Sequence, residues 1–168
     1  MNPLPALLVD FLHSHSVLAL ATSYDDIPWS ASAFYAFDEE QSRLLLLSSL
    51  DTRHGEMLSI NPHMAGTITD QFSDIQQIHG LQYTGTARHL DSPAETAPAL
   101  DVYYRRFPQA HGMTAPVWEI RLLHLKFTDN RVGFGSKTLW SRHDKGADRV
   151  LRRAPSRCDH FVSPRNAR

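Results

Sequence analysis

The chain has 168 residues, 42% of them apolar and 21% charged, with a formal net charge of −1 and a single cysteine, Cys158. That length and composition fit one globular domain with a core of its own, not a disordered chain. They exclude an internal disulfide, a multi-cysteine zinc site and an overall electrostatic pull toward nucleic acid.

No apolar run approaches the roughly 18 residues that span a bilayer. Met1 to Leu8 lack the basic start of a secretion signal, so the expected compartment is the cytoplasm. The first element is an amphipathic helix, with Leu4, Leu7, Leu8, Phe11 and Leu12 forming one stripe, Asn2 as N-cap and Pro3 in the first turn. From Val17 the apolar period becomes that of a strand. Val17–Ser23 and Ile27–Phe37 are two strands joined by the polar turn Tyr24-Asp25-Asp26. On the second, Trp29, Ala31, Ala33, Tyr35 and Phe37 share a face. The other face carries Ser30, Ser32, Phe34 and Ala36, small enough for a flat ligand to approach the backbone, or equally for a helix to pack there.

Asp38–Ser42 is a turn. Arg43–Ser49, with four consecutive leucines, reads as a strand buried on both faces. Asp51 or Thr52 then caps a helix over residues 53–60, ended by Asn61-Pro62. Met64–Thr69 and Ile78–Leu90 are further strands, with Gly80 and Gly85 as bulge or close-approach points. Ser92-Pro93-Ala94-Glu95 is a capping box opening a helix that Pro98 should bend or restart. Leu100, Tyr103, Tyr104 and Phe107 form its buried stripe. Val117–Thr128 and Arg131–Trp140 are the last strands. The expected fold is mainly β: six or seven antiparallel strands with short helical excursions, a closed or nearly closed barrel.

Residues 1–142 make up that domain. From His143 to Arg168 the chain has six arginines and one lysine against three aspartates, a composition expected of a partly disordered basic tail. No aromatic ladder is interleaved with the charge, so a nucleic-acid arm is the weaker reading.

The junction between the leucine strand and the helix after it has the makings of an anion site. Ser48, Ser49, Thr52, Arg53 and His54 supply hydroxyls, a guanidinium and an imidazole where a helix start leaves N–H groups unpaired. The plain alternative is that Asp51 caps the helix and Arg53 is solvated. The ten histidines show no metal-ligand spacing, and no nucleotide-binding glycine loop or nucleophile elbow is present.

The series Ala33-Phe34-Tyr35, Thr52-Arg53-His54, Ala65-Gly66-Thr67, Arg105-Arg106-Phe107-Pro108, Ala115 to Arg121, Lys126 to Asn130 and Gly133-Phe134-Gly135 resembles the pyridoxamine 5'-phosphate oxidase-like flavin-binding split barrels. Within that superfamily it is similar to the uncharacterised YhbP-like branch, over roughly residues 5–142. The resemblance implies a split β-barrel of Greek-key type, a homodimer and an FMN at the dimer interface. Carried over by position, Ser48, Thr52, Arg53 and His54 hold the phosphate and Ser32 and Ala33 line the ring. Gln82, Lys137 and Trp140 come from the partner subunit. His54 stands where the superfamily has lysine, so a fixed positive charge becomes a pH-dependent one. The substrate-gripping arginine and histidine of the oxidase have no match near Lys137 to Arg142, so the oxidase reaction itself is not implied. The function expected is a flavin-dependent oxidoreductase, or else a binding module that holds haem, a nucleotide or no cofactor. Trp118 and Trp140 are either interface anchors or core residues.

Overall fold

The alternating segments become eight antiparallel strands, and three short helices pack around them, in a computed structural model that describes residues 2–133 and 135–143. The chain begins with α1 (Ala6–Ser14). Next, β1 (Val17–Tyr24) turns through Asp25 and Asp26, both at positive φ, into β2 (Ile27–Phe34). β3 (Ala36–Asp38) and β4 (Arg43–Leu47) form a second hairpin. Helix α2 (Arg53–Ile60) leads to β5 (His63–Thr69) and β6 (His79–His89). Helix α3 (Pro93–Arg106) then separates β6 from β7 (Val117–Asp129), and β8 (Ser136–Ser141) follows. The expected basic tail beyond residue 143 lies outside the described residues, as do Cys158 and Phe134.

The sheet runs in the order β2-β1-β5-β6-β7-β4-β3, with β8 beside the second half of β7. Its two ends, β2 and β3, are consecutive in the chain and separated only by Tyr35. The sheet therefore curls until its edges nearly meet, the split barrel that the sequence led us to expect. There are eight strands because at Tyr35 the chain passes from pairing with β1 to pairing with β4, which divides the expected strand over 27–37. The Tyr35 amide donates to Ser16 O and its phenol to Leu12 O, both at 2.9 Å.

Side-chain alternation fills the barrel. Leu18, Leu20, Ile68, Leu81, Tyr83, Leu125 and Phe127 point inward against Leu8, Phe11 and Leu12 of α1. β4 is buried on both faces, as its leucines predict: Leu44 and Leu46 enter this core, and Leu45 meets Ala99 and Tyr103 of α3 in a second one. A bulge opposite Thr84 and Gly85 leaves Leu123 without a partner on β6 and switches the parity of β7. Ile120 and Leu122 thus face the core before the bulge, and Leu125 and Phe127 after it.

Several expected details differ. Helix α1 starts at Ala6 after Pro5, and Leu7 is exposed. Asn2 is no cap; it ties the N-terminus to β8, donating to Ser141 O and accepting from the Trp140 indole. At α3, Ser92 is the N-cap residue but its hydroxyl donates to Glu95 Oε2 instead of receiving an amide. The helix runs unbroken past Pro98. The last strand begins at Ser136, because Gly133 and Gly135 hold positive φ in the turn before it.

Candidate functional site

The candidate site is built where β4 runs into α2. Ser48 is fixed through its backbone, which donates to Pro116 O and accepts from the Trp118 indole, both at 3.1 Å. Thr52, not Asp51, caps the helix: its Oγ1 accepts from Gly55 N at 3.1 Å and donates to Ser49 O at 2.9 Å. Asp51 is exposed, and its own amide donates to Ser49 Oγ. Gly55 is required here, since a Cβ would lie 2.7 Å from both Ser49 O and Leu50 O. The loop closes directly on the first helical turn only because that side chain is absent.

The consequence is a helix start with free donors. The amides of Arg53 and His54 have no hydrogen bond among the described residues, which is the ordinary state of an α-helix's first amides until something anionic meets them. The Arg53 guanidinium does not float in solvent; it lies over the Trp29 ring, 4.5 Å from its centroid. His54 Nε2 is 2.7 Å from Ser48 Oγ, and burial holds its imidazole below the ordinary histidine pKa. Thr52's hydroxyl is already committed to the turn and the cap, so its part is to position the others.

Of the residues expected at this site, the structure brings Ser48, Thr52, Arg53 and His54 together. Ser32 and Ala33 lie on opposite faces of β2, because successive strand residues alternate. Ala33 packs against the core, whereas Ser32 is exposed. Strand register places Ser32, Ala19, Thr67, Gln82, Lys126 and Leu139 in one row across the outer face. Lys137, opposite Thr128, is exposed on the same face. A second row runs through Ser30, Ala21, Ala65, Thr84, His124 and Ser141, and the two rows are small on the β2, β1 and β5 side of the sheet. Ser30 and Ser32 are exposed, so no described helix covers them, while Ala36 farther along is buried in the core that α3 shares. The small-residue face thus admits a helix only at Ala36.

Trp140 is not with the others. It is buried in its own chain's core, as is Trp118, so neither tryptophan is presented to a partner. The residue that sequence reasoning missed is Trp29, the platform under Arg53. Its alternation with Ala31 and Ala33 was legible, but nothing local places residue 29 beside residue 53. Among the described residues no group of histidine, cysteine, aspartate and glutamate could hold a metal, and no helix is long and apolar enough to cross a membrane.

Comparison with known proteins adds a frame to this geometry. The family model described as pyridoxamine 5'-phosphate oxidase matches residues 4–129. UPF0306 proteins of Yersinia pseudotuberculosis and Yersinia pestis are 44% identical over 142 residues, which is 84% of this chain and 96% of theirs. A heme binding protein from Mycobacterium smegmatis aligns at a TM-score of 0.66 with 20% identity, covering 82% of this chain and 59% of its own. A FAD-binding protein from Mesorhizobium loti aligns at 0.60 with 15% identity, covering 73% and 92%. At those identities the two structures speak for the fold alone.

Proposed function

Because this chain belongs to the pyridoxamine 5'-phosphate oxidase family, alongside the UPF0306 proteins, we propose that it is an FMN-binding split-barrel protein acting in the cytoplasm as a flavin-dependent oxidoreductase. The observation that carries the proposal is the start of α2. Two amides unpaired among the described residues, the Ser48 hydroxyl, the His54 imidazole and a guanidinium stacked on Trp29 come together there, and Thr52 rather than Asp51 caps the helix. That donor set suits a phosphate monoester dianion.

In this reading Arg53 and the two amides hold the phosphate, and Ser48 orients His54 toward it. The exposed small residues of the outer sheet face give the isoalloxazine ring a flat bed beside Ser32. When bound, FMN would supply hydride transfer, and the protein's part is to hold and orient it. We extend the proposal to a homodimer. β2 is a sheet edge whose Ile27, Trp29 and Phe34 are 52%, 39% and 59% exposed, and Leu139 on the outer face is 69% exposed. A sheet edge with exposed apolar side chains beside it calls for a partner. Gln82 and Lys137 of the second subunit would then face the ring.

A second reading has its own support. A half-buried, neutral His54 grips phosphate less firmly than lysine, and proteins of this fold include the heme binding protein from Mycobacterium smegmatis and the FAD-binding protein from Mesorhizobium loti. A non-enzymatic module holding haem or a nucleotide follows from that. An absorption spectrum of freshly purified protein, before and after adding FMN, separates the two. A flavin band that shifts on binding supports the enzyme. A colourless protein that takes up haem or a nucleotide, and shows no calorimetric response to millimolar FMN, supports the module.

A further inference from the structure

Helix α1 ends on a histidine whose two ring nitrogens both face acceptors. His15 follows the last helical residue, its ring 3.9 Å from that of Phe11 and its side chain only 13% exposed. Its Nδ1 is 2.8 Å from Phe11 O and 3.0 Å from Ser14 Oγ. The Ser14 hydroxyl already gives its proton to Phe11 O at 2.9 Å, and a carbonyl oxygen only accepts. Nδ1 is therefore a donor in this cluster. On the far side of the ring, Nε2 is 3.3 Å from Asp70 Oδ2, and a carboxylate likewise only accepts. A neutral imidazole carries one ring proton and serves one of these partners; an imidazolium serves both.

Asp70 opens the loop between β5 and β6. The second half of that loop is anchored without it. The Asn130 side chain donates to Ile75 O at 3.1 Å, its backbone donates to Ile78 O at 3.0 Å, and Asp74 caps the turn over Ile75–Gln77. Gln71, Phe72 and Ser73 make no hydrogen bond among the described residues. What holds the first half is the Asp70 carboxylate, the Thr69 hydroxyl shared between Asp70 O and His79 O, and the Phe72 ring, 4.6 Å from that of His79. Two further charged groups approach His15 from packed elements. Arg106 of α3 is exposed and donates to the His15 carbonyl at 3.5 Å. His79 of β6 lies 6.3 Å from the same Phe11 ring, bonds Gln77 O through Nδ1 at 2.8 Å, and its charge reaches Asp129 of β7. Neither offers Nε2 of His15 another acceptor, and His13 on α1 faces Glu39 instead.

We propose that His15 and Asp70 form a pH-sensitive latch, in which protonation of His15 completes the bond from Nε2 and pins the first half of the β5–β6 loop to the end of α1. Histidines take up their proton as pH falls from about 8 to about 5, and the latch closes over that range. With the proton gone, Nε2 turns a lone pair toward a carboxylate. Asp70, 60% exposed, then takes water as its partner and the loop is released. The latch sits at the opposite end of β5 from α2 and shares no residue with the β4–α2 junction, so it does not depend on the flavin reading.

The test is an NMR titration of the full nitrogen-labelled chain, paired with a double-mutant cycle. At about pH 8 the single ring proton of His15 should sit on Nδ1, and at about pH 5 both nitrogens should carry one. The amide resonances of Gln71 to Ser73 should move along the same curve as the ring, and Asp70→Asn should abolish that dependence. Urea unfolding of the parent, His15→Gln, Asp70→Asn and the double variant gives the coupling. It should be about two- to fivefold in the unfolding constant at about pH 5 and absent at about pH 8. Asp70 is exposed, so its substitution leaves the core intact. A neutral His15 ring protonated on Nε2 would overturn the proposal, because that tautomer bonds Asp70 without any titration. So would loop amides that ignore the His15 curve, a pH dependence that persists in Asp70→Asn and so belongs to His79, or a coupling of equal size at both pH values.

Discussion

Replacing Arg53 with alanine removes a guanidinium whose position is set before any ligand arrives, because the group already lies 4.5 Å above the Trp29 ring. A hydrogen bond to a charged group contributes about 1.5–3 kcal/mol, and an exposed residue such as Arg53 belongs at the lower end. At about 1.4 kcal/mol per factor of ten, Arg53→Ala should weaken FMN binding by about ten- to thirtyfold. Trp29 acts only through Arg53. An exposed cation–π contact is worth about 0.5–1 kcal/mol, so Trp29→Leu should cost about two- to fivefold. The double variant should bind no worse than Arg53→Ala alone. Quenching of flavin fluorescence, titrated for all four proteins, gives the cycle. An Arg53→Ala protein within twofold of the parent, or an additive double variant, would refute this account of the guanidinium.

Burial lowers the His54 pKa from its ordinary 6.5, so the imidazole is neutral at pH 7. The unfolded chain takes up that proton first. The apo-protein should therefore lose stability as pH falls from 6.5 through the folded-state value, as urea titrations across that range would show. FMN affinity should rise over the same window in the parent relative to His54→Lys; the phosphate's own ionisation near pH 6 is common to both and cancels in the ratio. Gly66→Ala places a Cβ 2.2 Å from Ala19 O and 2.4 Å from the Tyr83 hydroxyl, which should cost about 3 kcal/mol by chemical denaturation. Thr52→Ala removes the cap bond to Gly55 and should cost about 1 kcal/mol, seen as a lowered Tm.

Most of the barrel was legible because burial in a sheet writes itself into alternation. The leucines of β4 announced a strand covered on both sides, and Gly85 marked the place where β6 passes the β7 bulge, its missing Cβ leaving room 2.7 Å from Arg121 O. The break at Tyr35 was not legible. The residue keeps the alternation of β2 and its amide still bonds Ser16 in register, so nothing in the local pattern marks where the chain passes from β1 to pairing with β4 at Ala36. The phosphate-type junction could be read from Ser48 to His54 because its parts are local in sequence. The choice of Thr52 over Asp51 as cap turned on Gly55, whose need for space appears only once the loop is folded back. Trp29 under Arg53, and the ion pairs joining Asp38, Arg43, Glu119, Arg88 and Glu95, cross between elements, and no periodicity encodes such pairings.

The phosphate is the part of the cofactor on which the α2 junction acts, so the decisive comparison is FMN against riboflavin, which differs from it by that group alone. Titrated into the purified chain under identical conditions, FMN should bind about a hundredfold more tightly, the equivalent of about 3 kcal/mol from charge-assisted bonds. Equal affinities for the two would contradict an oxyanion held by Arg53 and the first amides of the helix.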